Sequence, residues 1–405
     1  MRIARIRSLI AAGLLALLAG AAGPAAAQSP SWQETVERAR GQTVWWHAWG
    51  GDEKINAYIA WAAGRVRELH GIDLRHVRLA ATSEAVSTVL AEKTAGRTEG
   101  GRVDLIWLNG ENFAAMKANG LLHGPWVERL PNFGLVDTEG KPTTLVDFGV
   151  PTDGLESPWG MAQLTFYADT AEVADPPRSI AALLAWAEAN PGRFAYPQPP
   201  DFTGTTFLKQ ALIELAPDRA ALRRPADDAA FAAATAPLWG FLDRLHRAAW
   251  REGRAFPQSY AELRQLVDDG TAPIGFAFNP NEASASIAQG LLPDTVRSYD
   301  WPGGTIGNTH FVAIPFNASA KEGAMVVADF LLSPEAQARK QDADVWGDPT
   351  VLAVHRLPPA DRARFDDLPR GVATMAPGVQ SGPLPEPHPS WMTRLAAAWT
   401  ARYAR

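Results

Sequence analysis

The chain has 405 residues, 46% of them hydrophobic and 20% charged, with 15 Trp and no Cys. That is enough chain for two domains with their own cores, and the lack of cysteine excludes disulfides, thiol catalysis and cysteine zinc sites. The balance of 38 basic and 44 acidic side chains, net −6, argues against nonspecific nucleic-acid or anionic-membrane binding.

Residues 1–27 read as a cleavable secretory signal. Arg2, Arg5 and Arg7 precede an apolar stretch, Ile10 to Leu18, that is too short to span a bilayer, and Ala25-Ala26-Ala27 supplies the small residues of a cleavage site. A mature chain without those three arginines keeps 35 basic against 44 acidic side chains, net −9. The expected location is the periplasm, and no Cys follows the apolar run to carry a lipid.

From there the pattern predicts a short helix at 31–40, then a buried strand at 43–49 stopped by Gly50-Gly51. Asp52 opens a helix whose Ile55, Tyr58, Ile59, Ala62, Val66 and Leu69 recur at helical spacing. A strand at 73–79, a helix capped by Thr82, a strand at 103–108 and a helix at 111–119 complete three strand–loop–helix units. Such units imply a parallel sheet with helices on its faces.

Residues 121–156, rich in Pro, Gly and Asp, are expected to meander. A strand-like run at 159–167 carries the chain into a second lobe. There helices are predicted at 180–189, 207–215, 236–250 and 259–268, with strands at 193–196, 273–278 and 296–301. A strand at 309–314 returns the chain to the first lobe. Ser333-Pro334-Glu335 ends one helix and starts the next, with Ser at the N-cap and Pro at the first helical position. A Pro-rich tail precedes a last helix at 390–404. The resulting division is 28–158 with 309–405 as lobe I and 159–308 as lobe II.

In parallel α/β sheets ligands bind beyond the carboxyl ends of the strands, near helix N-termini whose N–H groups are free. Segments of that kind recur: Trp46 to Gly51 after the first strand, Ala81 to Glu84 after the second, Asn109-Gly110-Glu111 after the third, Thr203-Gly204-Thr205-Thr206 before a second-lobe helix, and Asn279 to Glu282 after a second-lobe strand. The candidate ligand contacts are therefore Trp46, Trp49, Gly50, Ser83, Asn109, Glu111, Trp159, Thr203, Gly204, Thr205, Asn279 and Glu282. Each has a plainer use. Alternation puts Trp45 and Trp49 on one strand face and Trp46 on the other, and Trp159 is as well suited to packing at a hinge. Thr82 and Ser83 serve equally as helix caps, and Asn109 as a turn residue.

No G-x-S-x-G elbow, Walker A loop or H-E-x-x-H pair is present, and the eight His are scattered without metal-ligand spacing. The reading is a binding protein without catalytic residues, metal or cofactor. A hydrolase or lyase built on the same cleft, using an acidic pair that the sequence does not single out, is the alternative of another class. A noncatalytic sensor that hands its ligand to a receptor is a third.

VWWHAWGG, VDLIWLNGENF, SPWGMAQLTFYAD, DFTGTTFL and FLLSPEAQA together resemble ABC-transporter substrate-binding proteins of the YnjB type, over nearly the whole mature chain. The resemblance implies an α/β type II periplasmic binding fold, with two lobes, a ligand cleft and a hinge. It implies a monomer that works with an ABC permease and its ATPase subunit. By position, it points to Trp49, Gly50, Ser83, Asn109, Glu111, Trp159, Thr205, Asn279 and Glu282. The expected ligand is a small polar organic molecule, cationic or thiamine-like, with a sugar or an anion as the competing view.

Overall fold

The computed structural model describes residues 30–376, 379 and 381–404; the expected signal at 1–27 lies outside them. Ser31 caps the first helix, Trp32–Ala39, in a reciprocal capping box with Glu34. β1 (Thr43–Trp49) follows, and the helix Glu53–His70 begins on Asp52, whose carboxylate accepts from the N–H groups of Lys54 and Ile55. β2 (Asp73–Leu79), the helix Ser83–Thr94, β3 (Leu105–Leu108) and the helix Glu111–Ala118 complete the three expected units. Thr82 does not cap its helix. Its hydroxyl donates instead to the Trp107 carbonyl of β3 at 3.3 Å, while Glu84 reaches back to the Ala81 N–H.

The meander holds a small ribbon, β4 (Val146–Asp147) paired with β5 (Val150–Pro151). The strand-like run expected at 159–167 is two strands: β6 (Glu156–Gln163) and β7 (Thr165–Asp169). β8 (Ile274–Ala277) and β9 (Val296–Tyr299) flank β7 in an antiparallel three-stranded sheet. β10 (Gly307–Ala313) returns to the first sheet, whose order is β2-β1-β3-β10-β6. β1 pairs in parallel with β2 and β3, and β10 runs antiparallel between β3 and β6.

Among the described residues two large apolar cores and two smaller ones form. One of the large cores gathers Val44, Trp46, Ile59, Trp159 and the helix Lys321–Leu331 around the five-stranded sheet. The other gathers Phe166, Phe276 and the helices Phe202–Leu215 and Asp228–Ala248 around the three-stranded sheet. This is the type II periplasmic binding fold, two α/β lobes joined by a hinge.

The structure shifts the expected boundaries. Trp159 belongs to the first sheet, because β6 pairs with β10 as far as Gln163, opposite Gly307. The final helix, Pro389–Tyr403, was expected in lobe I but buries Trp391, Leu395 and Trp399 in the second core. The segment before it also leaves lobe I, since Ala373 bonds to Ser298 and Ser284. The apolar face of that helix is thus satisfied by lobe II, which has fewer strands to build a core. Residues 193–196 form no strand, only a single bridge from Phe194 to Ile274. The helix expected from 207 begins at Phe202, because the Asp201 carboxylate accepts from the Gly204 N–H at 2.9 Å and caps it five residues earlier.

Candidate functional site

The hinge strands leave the first sheet at its carboxyl end, so the loops after β1, β2 and β3 face the second lobe. Leu384 lies beside Ile306 where the chain passes the hinge again, and its carbonyl accepts from the Gly307 N–H. Contacts between the lobes flank a cleft on two sides.

On one side the loop after β8 meets the first lobe. Asn279 and Asn281 donate to the carbonyls of Trp346 and Gly347 at 3.3 and 2.5 Å. Gly347 has φ +85°, and a Cβ there would lie 2.7 Å from Asn281, so only glycine lets the two loops approach. Glu282 accepts from Tyr260 Oη at 2.8 Å and Ser286 Oγ at 2.9 Å, with Arg264 at 3.6 Å. Burial raises its pKa despite those partners, and Asp52 of the first lobe adds to the rise.

On the other side, the helix Glu111–Ala118 starts with its Gly110 N–H donating to Asp147 Oδ2 at 2.7 Å. Asp147 Oδ1 has no partner among the described residues, nor do the carboxylate oxygens of Glu156. Burial pushes both pKa values well up; Glu111 and Glu386 push Asp147 further while the Gly110 N–H opposes them. Phe148, the next residue, packs on Gly110, where a Cβ would be 2.9 Å from its ring. Its ring carries the Lys209 ammonium at 4.8 Å, and Phe202 does so at 5.5 Å. Lys209 donates to Glu386 Oε2 at 2.7 Å, and Asn308 donates to Glu386 Oε1 at 3.2 Å.

The twelve expected contacts divide. Glu111, Asn109, Asn279 and Glu282 lie half-buried at the strand-end loops. Trp49 is 39% exposed, with its ring folded over Gly51. Gly50 is needed for chain packing, since a Cβ there would lie 2.5 Å from Arg78 Cβ. Ser83 is exposed on its helix. Trp46 and Trp159 do not face the cleft surface: both are fully buried, edge to face with ring centres 5.2 Å apart. Trp107 and Trp346 close around Trp159 in the first core, and its indole N–H has no hydrogen-bond partner among the described residues. Thr203, Gly204 and Thr205 are buried in the helix start. A Cβ on Gly204 would come within 1.9 Å of the Pro197 carbonyl oxygen, so that glycine serves packing.

Asp147, Phe148, Lys209, Asn308 and Glu386 escaped the sequence reading. Asp147 and Phe148 sit in the meander, Glu386 among prolines of the tail, and Lys209 inside a helix rather than at its start. None carries a periodic or motif signal; Glu386 as the single acid in Pro383–Pro389 is the one local hint.

The profile of the bacterial extracellular solute-binding protein family matches residues 61–359. Protein YnjB of Escherichia coli (strain K12) is 49% identical over 378 residues, covering 93% of this chain and 95% of that protein. This chain belongs to the bacterial extracellular solute-binding proteins. Among solved structures it is similar to the spermidine/putrescine substrate-binding protein PotD from Streptococcus pneumoniae strain Canada MDR_19A, at 16% identity and a TM-score of 0.60, over 89% of this chain and 98% of that one. It is also similar to the periplasmic binding protein AfuA from Actinobacillus pleuropneumoniae with fructose-6-phosphate bound, at 13% identity and a TM-score of 0.58, over 89% and 98% of the two chains. Those two likenesses bear on the fold alone. Membership makes this chain an extracellular solute-binding component of the ABC-transporter type. The family consists of capture components rather than enzymes.

Proposed function

We propose that the chain captures a small organic solute with a cationic group between its two lobes and delivers it to an ABC permease and ATPase, without chemistry on the solute. The carrying observation is Asp147. It is a buried carboxyl with one oxygen unpartnered; burial raises its pKa most, the Gly110 N–H opposes that rise, and the charges of Glu111 and Glu386 add to it. Asp52 and Glu282 repeat the theme across the opposite side of the cleft. Lys209 pairs with Glu386 and Arg264 stands 3.6 Å from Glu282, while Glu111 and Asp52 have no cationic partner among the described residues. Trp49 and Phe202, 39% and 37% exposed, offer aromatic faces, on which a cation gains about 0.5–2 kcal/mol.

A solute touching both lobes stabilises their closed arrangement by the difference between its contacts there and in the open one. PotD is a spermidine/putrescine substrate-binding protein and AfuA holds fructose-6-phosphate, so the fold accommodates either charge. Calorimetric titration with putrescine, γ-aminobutyrate and fructose-6-phosphate separates the two. The expected result is binding of an amine, about tenfold weaker or worse in Glu111→Gln and Glu282→Gln. Amine affinity should also fall as pH falls, because protonating the raised carboxyls removes the charge that holds the cation. Binding of fructose-6-phosphate alone, unchanged or tighter in those variants, refutes the cationic reading.

A further inference from the structure

Beside the hinge lies a cavity of about 390 Å³, within the size range of small-molecule sites. Its walls come from both lobes and from the hinge passages: Val146 and Phe148 from the ribbon, Arg223 from lobe II, Asn308 at the start of β10, and Pro385 with Glu386 from the tail. Resting on the cationic reading above, we propose that this cavity is the subsite of a small ω-amino carboxylate. Its ammonium donates to Asn308 Oδ1, its carboxylate faces Arg223, and its methylenes lie along Val146, Phe148 and Pro385.

Four observations support this assignment. Asn308 is 4% exposed, and the donation of its Nδ2 to Glu386 fixes the amide so that Oδ1 is the remaining acceptor. That oxygen has no partner among the described residues, so the site is short of a donor. The Arg223 side chain is exposed and makes no hydrogen bond or ion pair among the described residues, which leaves its fork open to a carboxylate. Glu386 is already matched by Lys209, so the pair adds little net charge, and the cavity's unbalanced groups are one buried acceptor and one rim cation. Phe148 is held at φ +44°, a backbone conformation that bulky side chains rarely adopt. The contacts of its ring with Gly110 and Lys209 hold it there, and strain of this kind concentrates at ligand clamps.

Such a ligand reads out closure, because its two ends are held by the hinge and by lobe II while its middle rests on a lobe I ribbon. The test is calorimetry with ω-amino acids from glycine to ε-aminohexanoate, together with the diamine and the fatty acid of matching length. The expected result is that one ω-amino acid binds tighter than both the diamine and the fatty acid of its length. Arg223→Gln should then weaken it by about tenfold while leaving the diamine unchanged. Val146→Trp, placed on an exposed ribbon residue so that folding is spared, should fill the cavity and abolish binding. If the diamine binds tighter than every ω-amino acid and neither variant changes it, the cavity is not the subsite, though the cationic reading survives. If the fatty acid binds best, both readings fall. If none of the amines binds at millimolar concentration, the subsite is refuted as well.

Discussion

Replacing Lys209 with Met tests how the second lobe is tied to the hinge. Lys209 and Glu386 are 1% and 2% exposed, and their charged atoms stand 2.7 Å apart. Met keeps the volume of the side chain but leaves Glu386 buried and unpaired. Breaking a buried pair from one side costs about 3–5 kcal/mol. Glu386 can limit that loss by taking a proton. Burial already raises its pKa and Lys209 is the largest influence opposing that rise, so the carboxyl moves further up when the lysine is gone. An acid whose folded pKa lies above its unfolded value costs stability only as pH rises through that interval. Lys209→Met should therefore be nearly neutral near about pH 5 and cost about 3 kcal/mol near about pH 8. Adding Glu386→Leu should restore most of the loss, because the charge that lacked a partner is gone. Urea unfolding followed by tryptophan fluorescence at both pH values measures this. A loss below about 1 kcal/mol at the higher pH, or a double variant no better than the single, would refute the argument from burial.

Asp329 carries a pH response of its own. Burial raises its pKa to about 6, against hydrogen bonds from the Asn132 backbone and side chain. Its folded pKa lies above the unfolded value, so the first lobe should lose up to about 3 kcal/mol as pH rises from about 4 to about 7. Asp329→Asn should flatten that slope in urea titrations across the range. Glycine substitutions separate backbone need from packing room. Gly64, inside the helix Glu53–His70 with nothing within 4 Å of an added Cβ, should gain about 0.5–1 kcal/mol as Ala. Gly204→Ala, aimed at the Pro197 carbonyl, should lower the melting temperature sharply; an unchanged value would show that the helix start can shift.

Much of the fold was legible because local interactions carry it. The strand β1 alternates buried and exposed residues as its apolar pattern requires, with Trp45 and Trp49 out and Trp46 in. Ser333 with Pro334 starts a helix as capping chemistry demands. The capping residue Asp201, by contrast, was visible in the sequence, yet its helix was placed five residues late, since Thr and Gly are weak helix formers and tertiary burial overrode them. The site was legible only at the strand-end loops. Trp159 suits cleft or core alike in the sequence, and only the fold shows that three other tryptophans surround it.

By itself the amino-acid order determined the strand–loop–helix succession, the solute-binding class and the acids at the strand ends. Periodicity, caps and glycine stops act between residues a few positions apart, so they can be read along the chain. Only the tertiary structure decided that Phe148, Lys209, Asn308 and Glu386 meet, and that the last helix completes lobe II. Those residues are far apart in the chain, and their meeting depends on how the hinge strands and the tail cross. Burial and unpaired polar atoms appear only once that crossing is made.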